Sequence, residues 1–185
     1  MMIESIPEKK KALRREIKMR AAALCAAYCE KADLMIEQKV KALESYQKAK
    51  TVFLFVSAFG EPETRGLIQD ALQQEKRVGV PKCLEDGIMK VYEIKSMQDL
   101  EAGRYGILEP NASCPEIDKK QIDFILVPCV SCDKDKNRLG HGKGYYDRYL
   151  QDLPCISCMI CRKELMVEKI PIDSFDLRPD ILITE

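Results

Sequence analysis

Across residues 7–49, apolar side chains recur near a helical period: Leu13, Ile17, Leu24 and Tyr28, then Ile36, Val40 and Leu43. A repeat of this kind buries one face and solvates the other, so two amphipathic helices are predicted. The pattern then changes to runs. Residues 51–57 (T-V-F-L-F-V-S) are β-branched and aromatic, as a buried strand requires, and the turn Gly60-Glu61-Pro62 closes that strand before a helix carrying Leu67, Ala71 and Leu72. Residues 77–81 predict a second strand, and the weak alternation of residues 88–94 a third. Gly103, Gly106, Pro110 and Pro115 mark a long irregular connection. Residues 123–128, 155–160 and 181–184 complete the strands, with helical segments at 144–150 and around 163–168.

Strands separated by helices predict an α/β fold: one domain spanning residues 1–185, with a mostly parallel sheet and helices on both faces in Rossmann-like layers. In such sheets ligands bind beyond the carboxyl ends of the strands, so the loops after Val56 and after Val127 are the places to look. A chain of 185 residues that is 46% apolar and 32% charged can bury a core of that size. Thirty basic residues balance thirty acidic ones, so no global field draws nucleic acid or an anionic membrane, and any anion site must be local. The lysines at 9–11 precede no apolar run, and no stretch approaches the roughly 20 apolar residues of a membrane span. The expected location is cytoplasmic.

Nine cysteines include two Cys-x-x-Cys pairs, Cys129/Cys132 and Cys158/Cys161, a spacing that can grip zinc. The second pair lies in a predicted strand, where positions i and i+3 point to opposite faces. The cysteines are therefore expected to serve as small apolar core residues rather than as a metal site.

The chemistry concentrates after the strand that ends at Val127. A polar turn, residues 133–137, leads into R-L-G-H-G-K-G-Y-Y-D at 138–147. Glycines at 140, 142 and 144 allow positive φ and close backbone approach to an anion, while Arg138 and Lys143 add charge and the following helix adds its dipole. Asp147 stands where a carboxylate could hold Mg²⁺. The loop is not a P-loop, because Gly144 rather than Ser or Thr follows Lys143, nor a dinucleotide fingerprint, because Tyr145 takes the place of the third glycine. On these residues alone, an anion cradle and a solvated helix cap both remain open.

The block from Val127 to Asp133, followed by N-R-L-G-H-G-K-G-Y-Y-D-R at 137–148, resembles the signature of 5-formyltetrahydrofolate cyclo-ligases. Lys10-x-x-Leu13-Arg14, the stretch E-P-E-T at 61–64, G-I-L-E-P at 106–110 and the C-terminal residues 171–185 extend the likeness over essentially the full chain. Cys129 and Cys132 depart from the family pattern, which usually has glycine and phenylalanine there. The resemblance implies an enzyme that converts 5-formyltetrahydrofolate and ATP, with Mg²⁺, to 5,10-methenyltetrahydrofolate, ADP and phosphate through a phosphorylated formyl (iminium phosphate) intermediate.

The resemblance also implies roles. Lys143, Arg138 and Tyr145 would be catalytic. Nucleotide would contact Lys10, Arg14, Arg138, Leu139, Gly140, His141, Gly142, Lys143, Gly144, Tyr145 and Tyr146. Reduced folate would meet Val56, Glu61, His141, Gly142, Lys143, Gly144 and Tyr145, and Asp147 and Asp176 would hold the Mg²⁺. Apart from the resemblance, Lys10 and Arg14 share a helix face at i, i+4, and Val56 reads as core. Two other classes stand as alternatives: a sugar-phosphate isomerase or acyl-CoA transferase using the same anion loop without nucleotide, and a zinc or nucleic-acid module built on the cysteine pairs.

Overall fold

A computed structural model of the protein describes residues 5–103, 106–151 and 153–185. Helix α1 (Ile6–Ala23) begins in a reciprocal capping box, the Ser5 hydroxyl accepting from the Glu8 N–H and the Glu8 carboxylate from the Ser5 N–H, with Pro7 in the first turn. Where two helices were expected the chain forms three, α1, α2 (Ala26–Lys41) and the short α3 (Glu44–Lys48).

Strand β1 (Thr51–Phe53) is shorter than the apolar run, for a local reason. The Thr64 hydroxyl donates to the Phe55 carbonyl at 2.7 Å and accepts from the Ser57 N–H at 3.0 Å, so a side chain takes the ladder partners of residues 55–57. Helix α4 (Arg65–Gln73) then returns the chain to β2 (Arg77–Cys83), parallel to β1. Strand β3 (Met89–Ile94) runs antiparallel to β2 instead of continuing the parallel pattern. The link between them is a 3₁₀ turn with Gly87 at φ +74°, closed by the Leu84 N–H on the Ile88 carbonyl, and it is too short for a crossover helix. The irregular connection that follows carries a small hairpin, β4 (Leu100–Ala102) with β5 (Leu108–Pro110), and its residues 104–105 lie outside the described residues.

The remaining elements are β6 (Phe124–Val127), the two-residue pair β7 (Ser131–Cys132) and β8 (Arg138–Leu139), α5 (Tyr145–Tyr149), β9 (Ile156–Ile160) and β10 (Ile181–Ile183). The segment 163–168 forms only a 3₁₀ turn, Lys163–Leu165, because the Val167 N–H is committed to the Cys132 carbonyl of β7 and cannot extend a helix.

The main sheet has the order β10-β9-β6-β1-β2-β3, parallel except for β2–β3. Its strands alternate between two apolar layers. Val52, Leu54, Leu126, Cys158 and Ile160 face α2, α3 and α4, whereas Phe53, Ile125 and Val127 face α5, and Met159 and Cys161 face α1. Each such side chain stabilises the fold by about 1.5–3 kcal/mol, so the two-sided burial of β1 and β6 fixes the register of the sheet's centre. From β1 the chain proceeds to β2 on one side and later returns to β6 on the other. The reversal opens a crevice above the carboxyl ends of β1 and β6.

Candidate active site

Two short elements carry the glycine loop into that crevice. Asp133 accepts from the N–H groups of Asp135, Asn137 and Ile170 and from the Asn137 amide. Burial pushes its carboxyl up, but these donors outweigh it and hold the group below the ordinary range. The turn thus pinned places β8 antiparallel to β7, with Arg138 paired to Cys132.

Arg138 is 6% exposed. Its Nη1 donates to the Pro128 carbonyl at 3.0 Å and its Nη2 to Asp147 at 2.7 Å, while its buried Nε has no partner among the described residues. Its guanidinium carbon lies 6.0 Å from the Tyr146 ring centroid. Beyond it, Gly142 at φ +94° and Gly144 at φ +66° adopt the left-handed conformation that their lack of Cβ permits. Helix α5, which follows, spans only five residues, so the macrodipole anticipated at its start is slight.

Helix α1 supplies the opposite wall. Arg14 donates from Nε to the Gly140 carbonyl at 2.7 Å, and Lys10 forms an ion pair with Asp176, whose Oδ2 also accepts from the Asp173 N–H at 2.6 Å. Burial, joined by repulsion from Arg138, pulls the Arg14 guanidinium below its usual value despite attraction from Asp176 and Asp147. Lys10, Arg14, Arg138, Leu139, Gly140, Gly142, Gly144, Asp147 and Asp176 together line a cleft of about 170 Å³. Three cations, two hard-oxygen donors and a glycine backbone in one concavity suit a polyphosphate with its Mg²⁺, and the unpartnered Arg138 Nε leaves one donor in reserve.

The other expected residues lie around this cleft rather than in its lining. His141 is exposed, with Nε2 2.8 Å from Glu61 Oε1, so its ring meets the carboxylate expected on the folate side. Glu61 is itself largely covered, accepting at 2.7 Å from the Ala58 N–H. Lys143 is exposed at the loop's tip, where its carbonyl accepts from Arg148 Nη2 at 2.7 Å. The Tyr145 hydroxyl donates to the Leu84 carbonyl at 3.3 Å, and Arg148 lies over its ring. Tyr146 stacks on Phe53 at 5.8 Å, and burial, with the Glu61 charge adding to it, raises its hydroxyl well above the ordinary value. Val56 is 4% exposed and packs in the core on the α2–α4 side. A larger cavity of about 680 Å³ between β3 and α5, lined by Met89, Lys90, Lys119, Arg148 and Tyr149 among others, contains none of the expected site residues.

Sequence reasoning missed Arg162. Its buried guanidinium forms two bonds with Asp33, at 2.7 and 2.8 Å, and donates to the carbonyls of Gly60 at 3.1 Å and Glu61 at 2.8 Å. It therefore anchors the loop that presents Glu61. The signal was available: an arginine directly after the apolar run of β9 stands at a strand's carboxyl end, where a buried charge needs a reason.

Comparison with known proteins gives the chain's family. The family model described as the 5-formyltetrahydrofolate cyclo-ligase family matches residues 6–185. A mouse 5-formyltetrahydrofolate cyclo-ligase is 30% identical over 198 residues, covering 100% of this chain and 98% of the mouse protein. A probable 5-formyltetrahydrofolate cyclo-ligase of Schizosaccharomyces pombe is 31% identical over 95% of each chain. Among solved structures, the Aquifex aeolicus 5,10-methenyltetrahydrofolate synthetase superposes with a TM-score of 0.83 at 29% identity, covering 94% of this chain and 88% of that one. The Mycoplasma pneumoniae 5,10-methenyltetrahydrofolate synthetase gives 0.77 at 27% identity, covering 95% and 98%. Among the described residues, no helix is long and apolar enough to cross a membrane.

Proposed function

Because this chain belongs to the 5-formyltetrahydrofolate cyclo-ligase family, we propose that it converts 5-formyltetrahydrofolate and ATP to 5,10-methenyltetrahydrofolate, ADP and phosphate. The observation that carries the ATP-dependent part is the convergence of Lys10, Arg14 and Arg138 with Asp147 and Asp176 on one cleft beside the glycine loop. In this reading the three cations and the loop backbone hold the phosphates. Asp147 and Asp176 are the residues that would hold Mg²⁺, which would neutralise phosphate charge when bound. Lys143, free at the loop's tip, closes over the transferring phosphoryl group, and Tyr145 helps to position the reactants.

The formyl oxygen is a poor leaving group. It attacks the γ-phosphorus, the bond from phosphorus to the bridging oxygen breaks, and ADP departs, leaving an iminium phosphate at N5. N10 then adds to the formyl carbon, its proton goes to solvent, and phosphate leaves with the carbon–oxygen bond pair to give the methenyl bridge. The protein's share is orientation and stabilisation of charge on the transferring group. Glu61, held by Arg162 and met by His141, is the carboxylate offered to the pterin's N–H groups, with Val56, Gly142, Gly144 and Tyr145 also expected on the folate side.

The test is direct. Purified protein with ATP, Mg²⁺ and 5-formyltetrahydrofolate should generate a product absorbing in the near ultraviolet, in proportion to the ADP released. Product that forms equally well without nucleotide, or no product at all, rejects the reading.

A further inference from the structure

The strand argument made from sequence holds for one cysteine pair and misses what the fold does with the other. Cys158 and Cys161 do point to opposite faces of β9, Cys158 among the side chains beneath α2–α4 and Cys161 toward α1. Cys161 there meets both members of the first pair. The sulfur atoms of Cys129, Cys132 and Cys161 all lie within 4.8 Å of one another, and the three residues are 5%, 0% and 2% exposed. The Cys129 thiol donates to the Ile160 carbonyl at 3.3 Å and the Cys161 thiol to the Arg162 carbonyl at 3.4 Å. Two of these cysteines are the positions at which the chain departs from its family's pattern, so nothing in the cyclo-ligase reaction accounts for the cluster.

Metal–thiolate bonds of about 2.3 Å place three sulfurs around one ion roughly 4 Å apart, so closure of this cluster onto an ion needs shifts below about 1 Å. The surroundings select the ion. No His, Asp or Glu joins the three sulfurs among the described residues, and the chain's single histidine is engaged at Glu61. Ile17, Met159 and Leu165 belong to the same buried apolar cluster. A structural zinc ion needs a fourth donor. A soft d¹⁰ cation content with three sulfurs does not, and thiolates beside a thioether favour it.

We propose that Cys129, Cys132 and Cys161 form a buried three-sulfur site for a soft monovalent metal ion, Cu⁺, separate from the nucleotide cleft. Each copper–sulfur bond replaces an S–H bond, the proton leaves to solvent, and no electron is transferred. Such an ion would join the β6–β7 connection, β7 and the end of β9, next to Arg138, which pairs with Cys132 in the β7–β8 ladder.

The experiment is an anaerobic titration of the full-length reduced chain with Cu⁺ supplied as its bathocuproine disulfonate complex, which competes for loosely held copper at exposed thiols. We expect one equivalent to transfer to the wild type, with copper-edge X-ray absorption reporting three sulfur neighbours. Cys129→Ser, Cys132→Ser and Cys161→Ser should each weaken retention by more than about 100-fold. Cys158→Ala, equally buried and three residues before Cys161, should leave retention intact and controls for disturbed packing. Circular dichroism and cyclisation activity of the apo variants distinguish a lost ligand from a lost fold. Failure of the wild type to take copper from the competitor, retention in all three serine variants, or tight Zn²⁺ binding with copper rejected would each overturn the proposal.

Discussion

Arg14 and Gly140 stand 126 residues apart in sequence and are joined by one hydrogen bond of 2.7 Å, from a guanidinium on the first helix to a carbonyl of the glycine loop. That bond makes α1 one wall of the cleft and sets the loop's distance from Lys10. A hydrogen bond to a charged group contributes about 1.5–3 kcal/mol, and each 1.4 kcal/mol is about tenfold in an equilibrium or rate ratio. Arg14→Met should therefore lower the thermal midpoint by several degrees, at about 2–4 °C per kcal/mol, and lower kcat/KM for ATP by roughly 10- to 100-fold. Steady-state ATP dependence checks this, and an unchanged KM for ATP would remove Arg14 from the nucleotide wall.

Gly142 combines φ +94° with an Arg14 guanidinium carbon 3.3 Å from where a Cβ would stand. Alanine there costs about 1–3 kcal/mol of backbone strain and pushes on Arg14. Gly106→Ala, at φ +73° with nothing within 4 Å of its added methyl, imposes similar strain away from the cleft. Comparable losses of stability are expected for the two variants, with loss of activity confined to Gly142→Ala. Equal activities would mean that the loop's conformation does not matter to turnover.

The fold was largely legible because most burial is local: the period of residues 7–49 gave the helices, and the runs at 51–57, 123–128 and 155–160 gave the central strands. What failed was decided by partners distant in sequence. Nothing in residues 89–94 reveals an antiparallel partner except the five-residue link, 84–88, before them, and the early end of β1 depends on the Thr64 hydroxyl. Lys10, Arg14, Arg138, Asp147 and Asp176 share one cleft, but the pairings Lys10–Asp176 and Arg138–Asp147 were not foreseen, since both carboxylates were expected on Mg²⁺ rather than on cations. The cysteines show the same division. Alternation correctly separated Cys158 from Cys161, yet only the β6–β9 pairing brings Cys161 to Cys129 and Cys132.

Lys143 is exposed and makes no wall of the cleft, so its removal leaves no cavity and no unpaired buried charge. Lys143→Ala should change stability by less than about 0.5 kcal/mol while most turnover is lost, because its role in the proposed reaction belongs to the liganded state. Activity and a denaturant midpoint measured on one preparation decide the matter. Unchanged turnover would withdraw the catalytic assignment of this lysine.

Arg162 and Asp33 form a nearly buried pair, their side chains 6% and 13% exposed. Removing one partner of such a pair costs about 3–5 kcal/mol, since the other is left as an uncompensated charge. Arg162→Met should show that loss together with a raised KM for the folate, because the carbonyls of Gly60 and Glu61 lose their donor. Adding Asp33→Asn should recover part of the stability but not the KM. Recovery of both would make Arg162 a structural residue with no bearing on Glu61.

The pH dependence of stability follows from Asp133 and Glu185. Both carboxyls are pushed up by burial, yet both are held below their ordinary values, Asp133 by the N–H groups of Ile170 and Asn137 and the Asn137 amide, Glu185 by the Tyr28 hydroxyl and the Lys163 N–H. A group whose pKa is depressed on folding stabilises the native state fully above its unfolded value, near pH 4, and loses that contribution as pH falls toward its folded value. Stability should thus be insensitive to these groups at neutral pH and decline below about pH 4. In Asp133→Asn the decline should be shallower, because one of the protons taken up on unfolding no longer has a site. Urea midpoints measured from pH 6 down to pH 3 would show the two curves converging toward the acid end. Parallel curves would mean that the Asp133 carboxylate does not hold the turn that positions Arg138.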